Sequence, residues 1–167
     1  MKYFTRGFYH GEYSEQEQDA VVEAYRSHIA LLLPSIPSSL AVLAKTSLHD
    51  AVLRSVVVRG RRSIIEMELV CHTPPDRQWI AAVRYRGVQL RDEGFAMLER
   101  RARDRRTEIL NHEVDVDEDG ECVHRLLFAP EGEITIWCAS IEVQQLPYTE
   151  WTHEVFCKCY VEEHEET

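Results

Sequence analysis

Residues 51–71 read AVLRSVVVRGRRSIIEMELVC, two β-branched runs around a basic break. Val56 and Val58 alternate on one side of the first run; Ile65, Met67 and Leu69 do so in the second. Side chains crowded at Cβ and repeating every second residue belong to extended chain. Two such runs joined by a short turn pair antiparallel. The spacing predicts two strands with a tight turn at Arg59-Gly60.

The next segment, DRQWIAAVRYRGVQL (76–90), gives a third strand with Trp79, Ala81, Val83 and Tyr85 on one face. DEGFAMLERRARDRR (92–106) changes to a helical period, with Asp92 as cap and Phe95, Leu98 and Ala102 facing inward. From Glu108 to Pro147 the chain reads as a strand meander turning at DEDG (117–120) and APEG (129–132). Upstream, Ser14 and Glu17 form a capping box, and Val21, Ala24, Tyr25, His28, Ile29 and Leu32 recur at helical spacing until Pro34. A short second helix, SSLAVLAK (38–45), presents Leu40, Leu43 and Ala44. The sum is an α+β fold: a curved antiparallel meander of about six to seven strands, packed by an N-terminal and a middle helix. One domain is expected over 1–167. Residues 1–47 are mainly helical, 48–161 form the sheet with one inserted helix, and 162–167 form an acidic tail.

A chain of 167 residues can bury a core without a disulfide or metal staple. Hydrophobic content of 44% and charged content of 29% exclude a disordered chain. No apolar run approaches the ~18 residues of a membrane span, and MKYFTRGFYHGEYSEQ lacks the apolar core of a secretion signal. A cytoplasmic protein is expected. Cys71, Cys122, Cys138, Cys157 and Cys159 are an odd set at irregular spacings, which reads as reduced thiols in a core.

The net charge of −10 is unevenly spread. Residues 1–53 carry six acids and four bases, 54–106 seven acids and thirteen arginines, and 107–167 sixteen acids and two bases. Either the basic middle and acidic end lie together and cancel, or the acidic end meets a basic partner.

Leu48-His49-Asp50 places an imidazole beside a carboxylate, as in general-base and metal-supporting arrangements. In a strand these neighbours would point to opposite faces, so the pair also reads as a joint between helix and strand. If the following strand lies beside 112–124, His49 and Asp50 could meet His112, His124 or Glu113; these are the catalytic candidates. Asp115, Asp117, Asp119 and Gly120 fit the opening D-x-D-x-D-G of a calcium loop. Its twelfth position holds Leu126 instead of glutamate, and strand-like flanks favour a hairpin turn. His153, Cys157 and Cys159 contain zinc-ligand types without the two separated ligand pairs of zinc sites, and packing explains them as well. No cofactor is expected.

Arg100, Arg101, Arg103, Arg105 and Arg106 could meet phosphates, yet they fall at a helix end where cations suit the dipole. The acidic total and the lack of a binding motif disfavour nucleic acid. No phosphate-cradling glycine loop, dinucleotide fingerprint, nucleophile elbow or H-E-x-x-H helix is present.

The opening MKYFT (1–5) with FY (8–9), then LPSIPSSL (33–40) and LHDA (48–51), resembles an uncharacterised bacterial family with a Met-Lys-Tyr-Phe start and a Leu-His-Asp motif ahead of a β-rich half. The resemblance implies a bacterial cytoplasmic protein and brings no catalytic residues with it. The leading expectation is a non-enzymatic binding protein, such as an immunity-like inhibitor. It would engage a basic protein through Glu113, Asp115, Asp117, Glu118, Asp119 and Glu121. The alternative is a small His/Asp-based or metal-dependent hydrolase centred on His49 and Asp50. A homo-oligomer joined through sheet edges is a third reading.

Overall fold

Four helices and a seven-stranded antiparallel sheet make up the described residues of the computed structural model, which are 1–59, 61–73, 77–90, 92–104 and 106–148. The helices are α1 (Arg6–Tyr9), α2 (Glu15–Leu32), α3 (Ser38–Lys45) and α4 (Asp92–Arg103). The strands are β1 (Ala51–Arg59), β2 (Ile64–Thr73), β3 (Arg77–Arg86), β4 (Glu108–Val116), β5 (Cys122–Ala129), β6 (Glu133–Cys138) and β7 (Ser140–Pro147).

α2 begins where the capping box satisfies two backbone donors: Ser14 Oγ accepts from Glu17 N–H, and Glu17 accepts from Ser14 N–H at 2.8 Å. α3 buries Leu40 and Leu43 completely, and α4 buries Phe95 and Leu98. Among the described helices none is long and apolar enough to cross a membrane.

The strand order is β6-β5-β4-β1-β2-β3-β7. Two three-stranded meanders, β1-β2-β3 and β4-β5-β6, are linked in sequence by α4, and β7 returns to pair with β3. The meanders are stitched by β1–β4 pairing at Ala51–Ile109 and Val52–Glu108, flanked by hydrogen bonds from Asp50 N–H to Ile109 C=O and from Leu53 N–H to Thr107 C=O. At the other end β6 and β7 are separated by Ala139 alone, although they hold opposite edges of the order. Gln89 and Trp137 exchange backbone hydrogen bonds of 2.8 and 3.4 Å, and Ala139 N–H donates to Arg86 C=O at 2.9 Å. The sheet therefore curls until its edges approach, without closing. Met67, Leu69, Val83, Tyr85, Leu126 and Phe128 fill its interior.

Cys71, Cys122 and Cys138 are free and buried. Burial pushes the Cys71 thiol to about 11 and the Cys138 thiol to about 12, so both remain unreactive thiols at neutral pH.

A bulge between Leu53 and Ser55 interrupts β1, yet Val56 and Val58 keep to the core side, opposite Met67 and Ile65. Two local expectations are corrected. Arg59 belongs to β1 rather than to the turn, whose described residues are 61–63, with Arg61 (φ 54°) and Arg62 (φ 69°) left-handed; Gly60 lies outside the described residues. Arg101 is buried rather than solvated, reaching Glu131 at 3.4 Å.

β4 runs past the start of β1, so its edge groups need partners elsewhere. Val114 N–H donates to Tyr25 Oη at 3.0 Å. The Glu113 carboxylate accepts the backbone N–H groups of Lys2, Tyr3 and Phe4 at 2.8, 2.7 and 2.8 Å. Arg6 donates to the carbonyls of Phe128, Pro130 and Gly132, locking residues 1–9 onto the β5–β6 turn.

Candidate functional site

His49 and Asp50 precede β1 instead of lying within it, and this changes their geometry. Asp50 takes a left-handed conformation (φ 58°), which brings its carboxylate to 3.4 Å from His49 Nε2. The divergence expected of strand neighbours does not occur. Both residues are exposed. His49 Nδ1–H donates to the carbonyl of Leu110 at 2.6 Å, and Tyr9 Oη donates to the same oxygen at 3.0 Å. Leu110 sits in the bulge of β4, between Ile109 and Asn111. The pair thus splices the α3–β1 connection to β4.

His112 and His124 come together, but inside the sheet. Tyr85 Oη lies 2.7 Å from His124 Nδ1, His124 Nε2 lies 3.1 Å from His112 Nδ1, and His112 Nε2 lies 2.8 Å from Thr46 C=O. The carbonyl can only accept, so each proton position follows. His112 donates to Thr46, His124 to His112, and Tyr85 to His124. Burial pushes His112 down to about 4, His124 well below the ordinary range and Tyr85 well above it. Every member is neutral at neutral pH and every polar atom in the row has a partner. This is a satisfied core network. His49 and Asp50 are exposed whereas His112, His124 and Glu113 are buried, so the five catalytic candidates do not share one surface.

The acidic residues of 113–121 divide. Glu113 is 1% exposed and holds the N-terminal backbone. Asp115 is part-buried, 3.1 Å from His28 Nε2 and 3.4 Å from Arg125. Asp117 Oδ1 accepts from Asp119 N–H and Glu121 N–H at 3.1 and 2.9 Å, which, with Gly120 at φ 83°, makes the β4–β5 turn a rigid hairpin. The calcium-loop letters are therefore spent on ion pairs and turn hydrogen bonds. No group of three His, Cys, Asp or Glu among the described residues could hold a metal. His153, Cys157, Cys159 and the acidic tail lie outside the described residues.

The hairpin forms one wall of a groove of about 660 Å³. Asp117, Asp119 and Glu121 line that wall, and Arg61 and Arg62 of the β1–β2 turn line the other. Val88, Gln89, Leu90 and Phe95 contribute between them, with Trp137 of β6. Trp137 is 37% exposed, an unusual place for an indole. Gln89 Nε2–H donates to Glu121 at 2.8 Å, and the Arg62 guanidinium lies 4.9 Å over the Phe95 ring. Reading the sequence for charge found Asp117, Asp119 and Glu121 but missed Trp137, Arg61, Arg62 and Gln89. A signal for Trp137 existed: in EITIWC it is out of phase with Ile134, Ile136 and Cys138, which face inward.

Two other grooves carry less. One of about 180 Å³ lies on the outer face of β2, β3 and β7, over Ala82. It is ringed by Glu66, Arg84 and Glu142, with Arg84 at 2.6 Å from Glu66 and 3.7 Å from Glu142. Here, and at Arg86–Glu142 (3.1 Å), the basic middle does pair with the acidic end. Another of about 560 Å³ lies beside Trp79, Leu146 and Tyr148. None of the three grooves is lined by His49 or Asp50. Compared with protein-family models, curated proteins and solved structures, the chain matches none.

Proposed function

We propose that the protein is a non-enzymatic binding protein of a bacterial cytoplasm, an immunity-type inhibitor in kind, that docks a basic partner at the β4–β5 turn. The observation that carries this reading is the exposed Trp137 beside the carboxylates of Asp117, Asp119 and Glu121 in one groove. An indole face with adjacent carboxylates suits a lysine or arginine side chain, and such a cation over a ring contributes about 0.5–2 kcal/mol. The carboxylates steer encounter, and the hydrogen-bonded hairpin needs no ordering on binding.

Titration against polylysine and a set of basic proteins, from about 0.05 to about 0.5 M salt, tests it. Affinity should fall steeply with salt, and Asp119→Lys should weaken it at every salt concentration. Binding indifferent to both changes overturns the reading.

The hydrolase alternative has one observation in its favour, the approach of His49 Nε2 to Asp50 on the surface. None of the three grooves described above is lined by that pair, and its other two histidines are turned into the core. Comparing the protein with His49→Ala on simple ester and phosphoester substrates discriminates. Turnover abolished by the substitution would move the site to the Leu48-His49-Asp50 joint.

A further inference from the structure

β4 extends past the start of β1, and its pairing with β5 fixes where its backbone groups point. Asp117 N–H donates to Glu121 C=O, and the alternation runs back along the strand from there. Asp117, Asp115 and Glu113 turn their backbone groups to β5, whereas Val116, Val114 and His112 turn theirs to the other edge. At that edge each donor meets a side-chain oxygen instead of a strand. His112 N–H donates to Asn111 Oδ1 at 2.7 Å, Val114 N–H to Tyr25 Oη at 3.0 Å, and Val116 N–H to Asp115 Oδ1 at 3.0 Å. Once such side chains turn away, a strand edge of this kind is a template for another strand.

α2 covers this edge, and it is lightly held. None of its 18 residues is buried, whereas the shorter α3 buries Leu40 and Leu43. It meets β4 through Tyr25 Oη on Val114 and through His28 Nε2, 3.1 Å from Asp115 Oδ1, with Ile29 half-buried against the core. Elements with few buried groups open at the low end of a protein's stability range.

The side chains of the edge specify what replaces α2. Val114 and Val116 stand opposite His124 and Cys122 and share their inward face, so Asp115 and Asp117 face outward. An added strand sets apolar side chains beside the valines and basic ones beside the aspartates. Arg125 and Lys2 sit on Asp115 Oδ2, at 3.4 and 3.9 Å, which leaves Oδ1 to a donor in the place of His28. Asp117 opens the β4–β5 turn, so this edge is continuous with the docking surface proposed above.

We propose that α2 is a displaceable cover, and that an extended segment of the basic partner, alternating apolar and basic residues, pairs with β4 in its place. The segment runs antiparallel to β4, in line with β1, which does the same. This rests on the binding reading above and deepens it: the partner enters as an added strand that leads to the turn.

Calorimetric titration of the whole protein with short peptides of equal length tests it. One peptide alternates valine and lysine, and a second holds the same residues in two blocks. Two more repeat the first with N-methyl groups on every valine or on every lysine. In antiparallel pairing the residues opposite Val114 and Val116 donate to the edge, and these are the valines. The alternating peptide should bind about tenfold or more tightly than the block and valine-methylated peptides, and about as tightly as the lysine-methylated one. Tyr25→Phe removes the acceptor of Val114 N–H in the covered form and should raise the affinity about threefold or more. His28→Ala, which loosens the same cover at a second point, should act in the same direction. Amide exchange at Val114 and Val116 should slow in the bound protein. The proposal is overturned if the alternating peptide binds no better than the block or valine-methylated one, or if neither variant raises its affinity. If D119K then still weakens the binding of basic proteins, the docking turn stands without strand pairing. If D119K is also without effect, the binding reading is lost as well.

Discussion

His124 is in phase with Cys122, Leu126 and Phe128, all inward, so its burial is written in the alternation of β5. His112 is different. Strict alternation from Ile109 would turn it outward, and only the bulge between Ile109 and Asn111 brings it in with Val114. A bulge leaves little trace in the local pattern, which is why the burial of His112, unlike that of His124, could not be read from the strand's alternation. Their burial has a pH consequence. His112 sits at about 4 in the folded protein against ~6.5 in an unfolded chain, so between these values the unfolded chain binds more protons. Its contribution to stability is complete above pH ~6.5 and is lost as pH falls through that window, with His124 acting in the same direction. At about pH 5 the loss from His112 is on the order of 2 kcal/mol relative to neutral pH. Urea midpoints at about pH 7.5 and about pH 5 measure it; equal midpoints would mean the imidazoles are not buried neutral. Tyr85→Phe probes the same row at fixed pH. It leaves His124 Nδ1 without its donor, and the unfolding free energy should drop by about 1–3 kcal/mol.

The strands and helices themselves were legible from their periods, since alternation and helical spacing are local properties that burial of one face imposes. Turn conformation was less so. Arg61 and Arg62 both adopt a left-handed conformation, which their side chains do not announce. A side chain at such a φ costs about 1 kcal/mol relative to glycine. Arg61→Gly should therefore raise the urea midpoint, by an amount corresponding to about 1 kcal/mol of unfolding free energy or less. A midpoint unchanged or lowered would show that Arg61 makes a stabilising contact larger than the strain. Glu113 also escaped a reading based on charge, because a buried acid and a solvated one are the same letter. What distinguishes it is β4's overhang past β1, where this carboxylate accepts the backbone N–H groups of Lys2, Tyr3 and Phe4. In Glu113→Gln the amide NH2 replaces one accepting oxygen among three backbone donors. Amide exchange at Lys2, Tyr3 and Phe4 should accelerate, and stability should fall by about 1–3 kcal/mol. Unchanged exchange would show that the segment is anchored by its aromatic packing instead.

Which strands become neighbours has no local signature at all. β1-β2-β3 and β4-β5-β6 follow from short turns, but the stitch at Ala51–Ile109 and the return of β7 to β3 join residues far apart in sequence. The curled sheet depends on one crowded point where these distant parts meet. Gly87, at the end of β3, has φ +65°, and a Cβ there would lie 2.9 Å from Ala139 Cβ and 3.4 Å from Ala139 N. Ala139 is the single residue between β6 and β7, so the glycine is what lets the two edge strands swing around the end of β3. Gly120 offers a control of the same kind: its φ is +83°, but a Cβ there meets nothing within 4 Å. Gly120→Ala should cost only the left-handed backbone term, about 1 kcal/mol, whereas Gly87→Ala adds the collision and should cost about 2–4 kcal/mol. Ala139→Gly in the Gly87→Ala background should recover the collision part but not the backbone part, a coupling read from a double-mutant cycle in urea. If Gly87→Ala costs no more than Gly120→Ala, or if the cycle shows no coupling, the β6–β7 crossover does not press on β3. The approach of the edges would then rest on the Gln89–Trp137 bridge and the Ala139–Arg86 hydrogen bond instead.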